Sequence, residues 1–143
     1  MAEDQSLEKD MNRSISNVSK AILLSLLSSA VLAAPPKYLV THNNTNVESN
    51  AFIDGTIPSQ KPTPANKTAQ VHWSIVQMAC IGHSVNNQCS AYIYMRSNTP
   101  APVLIGMVTL DLLTGQISPS QISGNGYTMT VNGPGETTLS VAN

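Results

Sequence analysis

Residues 103–113 read VLIGMVTLDLL, and whether this run is helix or strand decides the fold class. Its apolarity alone fits either. Val103, Ile105, Val108 and Thr109 are β-branched, Gly106 interrupts the middle, and Pro102 stands directly in front. β-Branched side chains lose rotamer freedom against a helical turn but pack well on a pleated surface, and glycine is a poor helix-interior residue. The run is therefore expected to be a central strand buried on both faces.

The neighbouring runs read the same way. In residues 89–96, CSAYIYMR, Ala91, Ile93 and Met95 share one face, while Ser90, Tyr92 and Tyr94 share the other. Towards the C-terminus, Tyr127, Met129 and Val131 alternate with Thr128 and Thr130, and Leu139 and Val141 alternate with Thr138 and Ser140. Residues 71–80 change phase: Val71, Trp73 and Ile75 have one parity, Val76, Met78 and Cys80 the other. As a strand, this stretch needs a β-bulge near Ile75–Val76 or burial on both faces.

All eight glycines and all nine prolines follow residue 33 and cut the chain into short runs. Thr114-Gly115 is suited to closing a hairpin after the central run. Gly124-Asn125-Gly126 and Gly133-Pro134-Gly135 supply positive-φ positions around the penultimate strand. Pro58, Pro62 and Pro64 make residues 57–67 an extended, solvated, mobile connection. Met78, Met95, Met107 and Met129 are expected as core filler. The fold class is all-β: a single small antiparallel β-sandwich of immunoglobulin-like or jelly-roll type over residues 34–143.

Residues 1–33 are expected to be a cleaved secretory signal. Arg13 and Lys20 precede an uncharged run of 14 residues, Ala21 to Ala34, and Val31 and Ala33 place small residues before a cut between Ala33 and Ala34. Fourteen helical residues reach about 21 Å, short of a bilayer core of roughly 30 Å, so stable membrane insertion is not expected after signal removal. The acidic leading residues Glu3, Asp4, Glu8 and Asp10 are unusual for a signal, and Met11 is the more conventional start. Localisation is read as exported, periplasmic or extracellular, in a bacterial context.

Cys80 and Cys89, the only cysteines, are expected to form one disulfide, clamping the base of a hairpin between two strands. C-x8-C is not a usual zinc spacing, and the four acids after residue 33 are scattered, so no metal and no cofactor are expected. Those acids balance Lys37, Lys61, Lys67 and Arg96. A neutral surface rich in Ser, Thr, Asn and Gln lacks the footprint of a nucleic-acid binder.

His42, His72 and His83 stand in no catalytic motif, and a triad such as Ser84, His42 and Asp111 would need assembly in three dimensions. No carboxylate is near His83 in sequence. Asn43-Asn44-Thr45 and Asn66-Lys67-Thr68 match the pattern for asparagine glycosylation. The leading reading is a non-catalytic exported protein that binds a macromolecule, either a host or envelope protein or a glycan. The stapled loop and the strand after it supply the candidate surface: His83, Asn86, Asn87, Tyr92 and Tyr94. The alternatives are a small secreted hydrolase and an envelope-assembly subunit acting through an exposed edge strand.

Overall fold

A computed structural model describes residues 34–143; the expected signal, its cleavage between Ala33 and Ala34, and the alternative start at Met11 lie outside the described residues. In chain order the elements are β1 (Tyr38–Asn43), β2 (Ser49–Ile53), β3 (Ile57–Pro58), β4 (Thr68–His72), α1 (Trp73–Ala79), β5 (Ser84–Val85), β6 (Gln88–Met95), β7 (Val103–Asp111), β8 (Ile117–Ser118), β9 (Gln121–Gly124), β10 (Tyr127–Gly133) and β11 (Glu136–Val141). They form two sheets. The first has strand order β4-β1-β11-β10-β9; the second has β3-β2-β6-β7-β8, with β5 added to β6. The fold is all-β, as the alternation requires.

Strand β7 is central in its sheet, between β6 and β8. Ile105, Val108 and Leu110 are buried, but Leu104 and Met107 point outward and are 37% and 43% exposed. The strand is thus buried on one face, not two, because no layer among the described residues covers the outside of the second sheet. The ladder slips between Ile93/Gly106 and Tyr94/Leu104, leaving Ile105 as the extra residue of a bulge. Gly106 takes φ +152° there, and a Cβ on it would lie 3.1 Å from Ile122, so this close approach needs glycine. Ala91, Ile93 and Met95 face the core, which also takes Met129 and Leu139 from the first sheet.

Three further expectations need correction. Residues 73–79 are helical. Trp73, Val76 and Cys80 are buried while Ser74, Ile75, Met78 and Ala79 are exposed, so the apparent change of strand phase is the 3.6-residue period of a short helix. Met78, 62% exposed, and Met107 are not core filler. One strand pair is not antiparallel: β1 runs parallel to β11, with Val40 opposite Glu136 and Asn43 opposite Leu139. These strands come from opposite ends of the domain, so no hairpin turn sets their direction.

The proline-rich stretch is pinned to a sheet edge. Ile57–Pro58 pairs with β2, and Ser49 and Thr63 exchange backbone hydrogen bonds of 3.0 and 2.8 Å. The turns behave as expected. Asn125 and Gly126 both take positive φ, 53° and 86°, in the two-residue turn from β9 to β10.

Candidate functional site

The outer face of the second sheet carries the most distinctive surface. Alternation sends Phe52 of β2, Tyr92 and Tyr94 of β6, and Leu104 and Met107 of β7 to the same side. The register sets Tyr92 between Phe52 and Met107, and Tyr94 between Asn50 and Leu104. Phe52 meets Tyr94 edge-on, with ring centroids 4.9 Å apart and planes at 66°. Gly55, in the turn after β2, lies against the Tyr92 ring: a Cβ there would be 3.4 Å from it. Phe52, Tyr92 and Tyr94 are half-buried by these neighbours, and Leu104 and Met107 are exposed. The result is a flat apolar strip three strands wide.

One end of the strip is polar. Asp54, with φ 52°, begins the turn that carries Gly55, and its Oδ2 lies 2.8 Å from His83 Nδ1. The partner that His83 lacks in sequence is therefore supplied across the fold, from 29 residues away. His83 is held by the Cys80–Cys89 disulfide, whose Cα atoms are 6.1 Å apart and whose cysteines are fully buried. This bond joins the C-terminus of α1 to β6, not two strands of a hairpin, because the chain before Cys80 is helical. A smaller hairpin, β5–β6, sits inside the disulfide loop.

Asn86 and Asn87 form the tip of that hairpin, both with positive φ, 50° and 60°, and both exposed. The Asn87 carbonyl accepts the Leu112 N–H at 2.8 Å. Leu112 O in turn accepts from Trp73 Nε1 and Gln77 Nε2, each at 3.0 Å, which anchors α1. His83 thus approaches Tyr92 through Asp54 and Gly55. Asn87 and Tyr94 are seven residues apart on an extended chain, roughly 24 Å. The structure links His83 to Tyr92 through Asp54 and Gly55, and leaves the two asparagines at the tip of the β5–β6 hairpin. Phe52, Leu104 and Met107 were absent from the sequence-derived site. Their only signal is the alternation within each strand, since their places beside the tyrosines depend on a register that the sequence does not set.

The first sheet bears a second polar cluster. His42 Nδ1 is 3.0 Å from Thr68 Oγ1, and Nε2 is 3.1 Å from Glu136 Oε1, across three adjacent strands on an open face. Asp111, on the other sheet, accepts from Leu113 N, Thr114 N and Gln88 Nε2. These donors, the Thr114 N–H first, hold its carboxyl below the usual range. His42 and Asp111 therefore have separate partners, and the triad of Ser84, His42 and Asp111 does not assemble. Among the described residues no three His, Cys, Asp or Glu side chains converge on a metal position.

The sequence profile of the type II secretion system substrate NttC matches residues 11–142. The chain belongs to the NttC family. The crystal structure of the Legionella pneumophila type II secretion system substrate NttC is similar to it, with 51% sequence identity and a TM-score of 0.74. The similarity covers 75% of this chain and 99% of that one. The comparison with curated proteins found no match. As a member of the NttC family the protein is exported across the envelope, which agrees with the neutral, disulfide-bonded domain.

Proposed function

We propose that this exported protein is a non-catalytic binder that holds a protein partner on the outer face of its second sheet. The observation that carries the reading is the strip of Phe52, Tyr92, Tyr94, Leu104 and Met107, five aromatic or aliphatic side chains that the strand register brings together on one sheet face. Aromatic residues and methionine are enriched in protein interfaces, and a contiguous apolar patch with a polar rim is the usual anatomy of one. A protein is favoured over a glycan because sugars stack on free ring faces. Here Gly55 lies against Tyr92, and Phe52 and Tyr94 pack on each other in a tilted pair. The Asp54–His83 pair and the disulfide give the strip a fixed polar margin, so little ordering is needed on binding.

The test uses the secreted protein carrying a photo-crosslinking side chain at Met107, or as a control at Thr130 on the other sheet, exposed to host-surface and envelope protein fractions. A discrete adduct from Met107 that is absent from Thr130 is expected. It should be lost in Y92A/Y94A, which should weaken the complex by about 2–4 kcal/mol and still melt cooperatively. Equal adducts from both positions, or binding abolished by deglycosylating the partner, would overturn the reading.

A further inference from the structure

We infer that the cleft between the two sheets, at the margin where β4 faces β2, binds a small amphipathic anion: a carboxylate with a short alkyl tail. Stacked sheets lie about 10 Å apart, and large side chains must cross that gap to close it. At this margin three of the inward positions are small. Ala51 of β2, Ala91 of β6 and Ala69 of β4 all line the cleft, and single methyl groups do not meet across it. A cavity of about 90 Å³ results. Leu39 and Val71 point into it and remain only half-buried, whereas Met95, elsewhere in the same core, is 0% exposed. The sandwich is closed at one side and open at the other.

One charged residue borders the cleft. Lys61 is the one charged side chain among the described residues that line it, and it joins no ion pair among those residues. Its backbone is fixed on both sides. Ser59 N–H donates to Ala51 O at 2.8 Å, Lys61 N–H donates to Ser59 Oγ at 3.1 Å, and Thr63 is bonded to Ser49. An apolar interior bordered by one exposed lysine selects a ligand with the converse pattern. The volume sets the tail length: a cavity of about 150 Å³ accepts benzene, so 90 Å³ suits a tail of roughly three to five carbons. The cleft is separate from the outer face of the second sheet, so the two assignments stand or fall independently.

The experiment is a nuclear magnetic resonance titration of the secreted protein with acetate, butyrate, hexanoate and butanol at millimolar concentrations. Butyrate should shift the amide signals of Ala51, Ala69 and Ala91 and bind at least tenfold more tightly than acetate, since each buried methylene is worth about fourfold. K61Q, an exposed substitution, should weaken butyrate about fivefold to tenfold and leave butanol unchanged. A69L should fill the cleft and abolish the shifts. Absence of shifts, equal affinity for acetate and butyrate, butanol binding as tightly as butyrate, or indifference to K61Q would each overturn the assignment.

Discussion

Asn43 is 1% exposed, and its side-chain amide links three segments of chain. Nδ2 donates to the carbonyls of Val47, Thr63 and Pro64 at 2.8, 3.2 and 3.1 Å, while Oδ1 accepts from the backbone and hydroxyl of Thr45. The end of β1, the following turn and the proline-rich edge are thereby held at one point. The amide nitrogen that a glycan would need at Asn43-Asn44-Thr45 is buried and committed, so this match to the glycosylation pattern is closed in the folded protein. Replacing Asn43 by Ala strands buried carbonyls, each of which costs about 1–3 kcal/mol when left without a donor. Urea unfolding of N43A should show a loss of about 2–4 kcal/mol, since water reaches some of these groups. A loss under 1 kcal/mol would mean that all of them rehydrate.

Helix α1 has seven residues, too few to persist alone, and its N-cap His72 gives it no side-chain bond. It is held by Trp73 and Gln77 on Leu112 O and by the disulfide at its end. The C80A/C89A variant should lose about 2–4 kcal/mol in thermal unfolding. Amides of residues 76–79 should exchange with solvent earlier than those of β6; exchange in step with β6 would refute the dependence. The helix was hidden in the sequence for a physical reason. Two turns show the 3.6-residue period barely twice, and Ile75 and Met78, apolar but outward, imitate a strand. The alternation of β6 was legible because eight residues repeat a period of two four times, and it put Tyr92 and Tyr94 on the face opposite Ala91, Ile93 and Met95 without saying which face is outward. The Asp54–His83 contact was not legible, since it depends on the register of β2 against β6 and on the path of the disulfide loop.

At the scale of the whole molecule, three of the four outer strands among the described residues are short, and the fourth, β4, has five residues. β3 and β8 have two residues each, and β9 has four. Pro58 and Pro119 interrupt the edges of the second sheet, so they offer little template for strand addition. The first sheet instead uses its interior to join the two ends of the domain: β1 and β11 lie side by side and parallel. That arrangement has a mechanical consequence. Tension applied at Pro36 and Ala142 draws these two strands past each other lengthwise, so the cross-strand hydrogen bonds from Val40 to Asn44 carry the load together. Tension applied across the β9–β10 turn would instead part bonds one at a time. Stretching single molecules by their ends should give one high-force rupture, and stretching through Asn125 and the C-terminus a markedly lower one. Equal rupture forces would show that the load is borne elsewhere. By this geometry, a domain with modest resistance to urea can still be stiff against being pulled open from its ends.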